Sequence, residues 1–306
     1  MLPIELTIVG AGAARPRAHA PTSSIYLECG GSRVLVDCGE GTQVELDRLG
    51  ISLARIDVTC ITHMHGDHVY GLPGLLTSMA LEGRSRPLTL LGPPALPDYL
   101  AAVFAVSSVH DFGFEITHVP TDDSTPRREV VALRELSIHT LPLRHRVRCV
   151  GFCVSNRDKG RHLRPGVVEE HRIPYDKIPA IKRGADHEPP GGLRIANDEL
   201  TTPPDPLRSV AYLTDTAPLD EWPRDWPAPT LLIHDATFAG ADQGLAAKTG
   251  HSTVRQAAAF AKTAGAQELL LTHLSVRYDD REALLAEAGE VFAGVAWAEA
   301  GGRWGF

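Results

Sequence analysis

The sequence predicts a layered α/β domain, and three observations carry that expectation. Five short apolar runs read as buried strands ending in His or Asp: "VLVDCGEGT" (34–42), "VTCITHMHGDH" (58–68), "VAYLTDT" (210–216), "LLIHDAT" (231–237) and "LLLTHLS" (269–275). Segments with helix start and stop signals lie between or after these runs. Strands in the first and last thirds, each followed by helices, give the alternation of a layered α/β architecture.

In chain order, "MLPIELTIVGAG" reads as a strand from the outset, with no basic n-region or cleavable apolar segment, which predicts a cytoplasmic protein. The run at 58–61 leads into "THMHGDHVYGLPG" (62–74), and "GLPGLLTSMALEG" (71–83) carries that motif into a helix. Residues 155–207 are rich in Pro, Gly and charge, with "NRDKGRHLRPG", "EPPGG" and "TTPPDP". Periodicity is poor there, so the stretch is expected to be an inserted arm within a single domain spanning 1–306. Beyond it, "STVRQAAAFAKTAG" (252–265) predicts a helix with Ser252 as N-cap and Gly265 as stop, and "YDDREALLAEAGEVF" (278–292) a helix with an acidic first turn.

Composition bounds the function. The chain has 306 residues, 43% hydrophobic and 22% charged, ordinary globular values that allow a sizeable core. Its formal net charge is −8, so bulk charge does not draw it to nucleic acid or anionic membrane, and only a local basic patch would. The arm carries nine Lys/Arg and nine Asp/Glu, charged without being basic. No run of 18 apolar residues occurs, so no membrane span is expected. Cys29, Cys38, Cys60, Cys149 and Cys153 lie at or inside apolar runs without a CxxC pair, which predicts buried thiols and a reducing compartment. The scattered His19, His110, His118, His139, His162, His171 and His187 have no paired spacing and are expected at surfaces or in loops.

The chemistry concentrates at residues 63–68. His63 and His65, two apart at a strand end, can face one side, while Asp67 and His68 follow across Gly66, where the backbone is expected to turn sharply. His and Asp suit Zn²⁺, with Mn²⁺ also accepted, and the lack of a nearby Cys argues against a structural thiolate site. Further donors must come from distant runs, with His145, Asp215 and His273 as candidates. The set closes on two ions: His63, His65 and His145 on one, Asp67, His68 and His273 on the other, and Asp215 with a water between them. Such a pair suits hydrolysis, phosphoesters above all.

"THMHGDH" resembles the HxHxDH signature of the metallo-β-lactamase superfamily. Together with "VDCGEGTQ" (36–43), "HGDHVYGLPGLL" (65–76), "HDATF" (234–238), "GHSTVRQAAAFAK" (250–262) and "LLTHLSVRY" (270–278), it resembles the ribonuclease Z family of tRNA 3′-processing endonucleases. The resemblance implies an αββα four-layer sandwich with an inserted tRNA-binding arm, two zinc ions, a homodimer and precursor tRNA as substrate. It further implies that Asp67 is both a ligand and the base orienting the attacking water. His251 would stabilise phosphate charge or protonate the leaving oxygen, and Asp235 would orient His251 from the glutamate position of the family's HEAT motif. Asp37 would brace the metal loop rather than ligate, and His234 is open between a structural and a functional role. Lys177, Lys182 and Arg183 stand near the exosite position.

This sequence departs from the family in five places, one of them the early loop "GAGAARPRAHAPTSS", which keeps Arg15 and Arg17 but not the family's Arg-Asn pair. Asp235 is one methylene shorter than the family's glutamate, "SGDT" reads "LTDT" and "SSRY" reads "SVRY", and the arm lacks the "PPGP" stretch. The altered arm and acidic balance keep a relative acting on small phosphodiesters, such as cyclic nucleotides, as the alternative. Sulfatase or lactonase chemistry ranks lower because "GHST" and "HDATF" argue for phosphodiesters, and a non-catalytic scaffold ranks lower because all seven ligand candidates are present.

Overall fold

Alternation along the strands decides the architecture. The computed structural model describes residues 2–17, 20–107 and 111–306, so the expectations for His19 and His110 lie outside the described residues. The first sheet takes β1 (Glu5–Gly10), β2 (Ser24–Cys29), β3 (Ser32–Val36), β4 (Val58–Cys60), β5 (Leu88–Gly92) and β6 (Ile116–Pro120). The second begins with β7 (Arg127–Ala132), β8 (Leu136–Pro142) and β9 (Val150–Asn156). After the arm, with its two-residue strands β10 (His162–Leu163) and β11 (Thr201–Thr202), come β12 (Ser209–Leu213), β13 (Leu231–Asp235), β14 (Glu268–Thr272) and β15 (Val295–Trp297). The C-terminal β16 (Arg303–Gly305) returns to the first sheet. The orders are β16-β1-β2-β3-β4-β5-β6 and β15-β14-β13-β12-β9-β8-β7.

Each strand serves two cores because successive side chains point to opposite faces. Ile25 and Leu27 of β2, Val34 and Val36 of β3, Val210 and Tyr212 of β12, and Ile233 of β13 share one buried cluster between the sheets. The residues between them point outward. Tyr26 and Leu35 pack under α1 (Thr42–Arg48), α3 (Leu72–Leu81) and α4 (Leu96–Ser107). Ala211, Leu213, Leu232, Leu269 and Leu271 pack under α9 (Val254–Ala264) and α10 (Arg281–Gly289). The result is the αββα four-layer sandwich. The remaining helices are α2 (Gly66–Val69), α5 (Val167–Glu170), α6 (Ile178–Lys182) and α7 (Asn197–Leu200) in the arm, and α8 (Gln243–Thr249).

Residues 156–207 form a compact unit of their own, separate from the unit of 2–155 and 208–306. The arm has a small core of Val167, Ile173, Ile181 and Leu200. In the body, Ser155 of β9 and Ser209 of β12 are partners across an antiparallel ladder, so the chain leaves and re-enters at adjacent positions.

Local expectations need four corrections. α9 is capped by Thr253, not Ser252: the Thr253 hydroxyl accepts from Gln256 N–H and the Gln256 side chain bonds back, a reciprocal capping box. α10 is shorter than the 278–292 pattern, starting after Asp280, whose carboxylate accepts from Ala283 N–H. Gly66 is not a left-handed turn residue but the first residue of α2, and a Cβ there would lie 2.3 Å from the Tyr70 ring. Finally, His118 and His139 are strand residues and His187 is buried, so these three are not plain surface or loop histidines. All five cysteines are buried thiols, and among the described residues no helix is long and apolar enough to cross a membrane.

Candidate metal centre

Parallel pairing gathers the polar strand ends. β3 runs parallel to β4, and β12, β13 and β14 run parallel to one another, so each set ends on a common edge. Asp37 follows β3, the loop 61–65 and α2 follow β4, Asp215 follows β12, Asp235 ends β13 and His273 follows β14. Asp37, Asp215 and His273 have φ of 59°, 58° and 62°, the left-handed region. Non-glycine residues visit it uncommonly, Asp and His more readily than most. There the strand direction breaks and the side chain is re-aimed.

One group of donors comprises His63, His65, His145 and Asp215, with ligand atoms within 4.8 Å of one another. Thr62 donates its hydroxyl to Asp37, so it accepts from His63 Nδ1 at 3.0 Å. His145 Nδ1 donates to the Gly250 carbonyl at 2.8 Å. Both imidazoles therefore turn Nε2 lone pairs inward, 2.9 Å and 3.3 Å from His65 Nδ1. Burial drives all three histidines below their usual basicity, most strongly His63. Neutral imidazole lone pairs converging on one point are what a cation fits. Gly250 permits this approach: its φ is +75°, and a Cβ would sit 3.1 Å from His145 Nδ1.

The second group comprises Asp67, His68 and His273. His68 Nδ1 donates to Asp37 Oδ2 at 2.6 Å, while its buried Nε2 has no hydrogen-bond partner among the described residues. That Nε2 lies 3.3 Å from Asp215 Oδ1, and His273 Nε2 lies 3.2 Å from the same oxygen. Asp215 Oδ2 instead faces His63 and His145 at 3.6 and 3.7 Å, so the two oxygens of Asp215 face the two groups. Burial opposes charge here, but facing imidazoles outweigh it. They hold Asp215 and Asp67 below the usual carboxylate range, and the carboxylates raise His68 and His273 despite burial. Asp67 Oδ2 also accepts from Ala14 N–H at 2.8 Å, tying the loop after β1 to the site.

Beside these groups stands a saturated carboxylate. Asp235 Oδ2 accepts from His251 Nδ1 at 2.7 Å and Thr216 N–H at 2.9 Å, and Oδ1 accepts from the Thr237 hydroxyl and N–H at 2.8 and 3.0 Å. The shorter side chain thus still reaches His251, whose ring stacks on His273 at 5.3 Å. Asp37 is likewise committed, to Thr62 and His68. His234 is not gathered in. On the opposite face from Asp235, it packs against Phe260 of α9 and bonds the Asp235 carbonyl. Lys177, Lys182 and Arg183 belong to the arm unit, where Lys182 and Arg183 line an open groove of about 780 Å³ with Lys159 and Arg161. Sequence reasoning passed over Thr62, Thr216 and Thr237, whose only signal was their place beside a His or Asp at a strand end.

The four-layer fold and its histidine–aspartate edge define a class, and residues 32–274 match the family described as beta-lactamase superfamily domain. The chain is 34% identical to ribonuclease Z of Parabacteroides distasonis over 99% of each chain. It is 37% identical to ribonuclease Z of Salinibacter ruber, over 97% of this chain and 92% of that one. The crystal structure of human tRNase Z, short form, superimposes with a TM-score of 0.68 at 27% identity, covering 98% of both chains. The chain belongs to the ribonuclease Z family.

Proposed function

We propose that the protein is a di-zinc endoribonuclease that removes 3′ trailers from tRNA precursors by hydrolysing one phosphodiester. The observation that carries this reading is the 34% identity to a ribonuclease Z maintained across 99% of both chains. His63, His65 and His145 would hold one ion, Asp67, His68 and His273 the other, and Asp215 both. The all-N/O donor set fits zinc and accepts manganese. Bound zinc supplies Lewis acidity, making a water nucleophilic near neutral pH and offsetting phosphate charge.

The chain's own groups do the rest. Asp67 remains ionised and can accept a hydrogen bond from the attacking water, aiming it at phosphorus. His251 has its Nδ1 hydrogen committed to Asp235, so Nε2 is the atom left for substrate. As an imidazolium it presents Nε2–H to a phosphate oxygen or the leaving oxygen, while Asp235 stabilises the positive charge. The 155–207 arm is assigned to tRNA, with Lys177, Lys182 and Arg183 meeting phosphates. A cytoplasmic homodimer belongs to the same reading and is supported by the family resemblance.

The test compares zinc-loaded protein on a tRNA precursor with a 3′ trailer and on cyclic mononucleotides. Endonucleolytic release of the trailer, lost in Asp67→Ala, supports the assignment. Turnover of cyclic nucleotides with the tRNA left intact overturns it. Elemental analysis of the purified protein fixes the metal, and sedimentation fixes the oligomeric state.

A further inference from the structure

The Thr237 hydroxyl sits where three working side chains meet. Its oxygen lies 2.8 Å from Asp235 Oδ1, 3.1 Å from His273 Nδ1 and 3.3 Å from His251 Nδ1. A hydroxyl has one proton to give, and an ionised carboxylate can only accept. Thr237 therefore donates to Asp235, and its lone pair accepts from His273 Nδ1–H. His251 makes its own shorter bond, 2.7 Å, to the other oxygen of the same carboxylate. The Thr237 N–H also donates to Asp235 Oδ1 at 3.0 Å, so the residue is held at two points. Thr237 and His273 are both buried.

We propose that Thr237 is a positioning residue: through its hydroxyl, Asp235 holds His273 in the tautomer whose Nε2 lone pair faces Asp67 and Asp215. The same carboxylate orients His251 directly. One buried anion thus sets an imidazole that would hold metal and an imidazole that would handle the phosphate or its leaving oxygen. The relay through a hydroxyl matters because His273 Nδ1 has no other acceptor at hydrogen-bond distance among the described residues. A neighbour that fixes the tautomer of a ligating histidine raises the affinity for metal. This inference rests on the ribonuclease Z reading for its turnover arm only.

The experiment uses the full chain as Thr237→Val, near in shape but without the hydroxyl, and as Thr237→Ser, which keeps it. Zinc affinity is measured by chelator competition without RNA, His273 tautomer by ¹⁵N-histidine NMR of the zinc-loaded protein, and kcat and KM on a trailer-bearing precursor. The valine variant is expected to bind zinc about 10–100-fold more weakly. It should lower kcat with KM little changed, and lose the single His273 tautomer. The serine variant should restore all three. Wild-type zinc affinity and tautomer in Thr237→Val, or equal impairment in Thr237→Ser, would overturn the proposal. If Thr237→Val does not fold by circular dichroism, Thr237→Ala takes its place under the same criteria. Failure of the wild-type protein to cleave the precursor would remove the ribonuclease reading, while affinity and tautomer still decide the role of Thr237.

Discussion

The body and the arm handle charge in opposite ways. In the body, the carboxylates Asp37, Asp215 and Asp235 are buried, and the oxygens of Asp37 and Asp235 are matched to named donors. In the arm, charges lie outside a four-residue core and pair with one another at the surface, as in Arg161 with Asp198, Arg194 with Asp186 and Lys177 with Asp176. A buried polar network loses heavily when one member is removed, whereas exposed ion pairs contribute little and are screened by salt. The body network is therefore expected to tolerate little change, whereas the arm's surface pairs should tolerate more. This fits a sequence that keeps every candidate ligand while its arm departs most from the family pattern.

Substitutions can break that contrast. The largest effect is expected from Asp67→Ala, which should lower kcat on a trailer-bearing precursor by about 10³-fold or more, because the proposed function makes one side chain both ligand and base. Single-turnover assays at saturating zinc measure it, and activity within tenfold of wild type would remove Asp67 from the chemistry. Next comes Asp235→Asn. Five hydrogens point at this carboxylate, the Ser252 N–H at 3.5 Å among them, and an amide places an NH₂ against at least one. A fall in kcat of about 10–100-fold with KM unchanged is expected from steady-state kinetics.

In the arm, replacing Lys177, Lys182 and Arg183 together by Ala should raise KM for tRNA several-fold. It should also flatten the salt dependence of binding, by about 0.7–0.9 in log–log slope per lost phosphate contact. Zinc content and turnover of a small chromogenic phosphodiester should stay unchanged, and a matching loss on that small substrate would contradict the division of labour.

The smallest effect concerns pH. Burial, with Arg128 nearby, pushes His139 down to about 4, and its Nδ1 accepts from Glu129 N–H. The unfolded chain takes up that proton at about 6.5. Stability should therefore fall as pH drops from about 6.5 to 4, and His139 contributes no pH dependence above that window. Urea unfolding of wild type and His139→Gln at pH 7 and pH 5 should show a shallower loss in the variant.

What could be read from sequence follows the same divide. The runs ending at Asp37, Asp215, Asp235 and His273 were legible because buried parallel strands are short, apolar and flanked by their polar ends. The edge strands β6 and β7 were not, since "ITHVP" and "RREVVA" are partly exposed and lack a clean alternation. His63, His65, Asp67 and His68 stood out by local density, and the distant partners followed from chemical need. Thr237 did not, because a threonine after a strand looks the same whether or not three side chains share its hydroxyl. Nor did the left-handed backbone at Asp37, Asp215 and His273, which only the assembled sheets impose.

The pairing of Ser155 with Ser209 has a practical meaning. Partners across an antiparallel ladder stand about 5 Å apart, close enough for a tight turn to join them. The whole of 156–207 is then an outgrown hairpin loop, and the cost of closing such a loop rises only slowly with its length. A short turn spliced between the two serines should therefore leave the ladder from Ser155 and Ser209 inward in place, at the cost of the last residue of β9. Under the proposed reading of the arm, trading that one loop would change which substrate reaches the body.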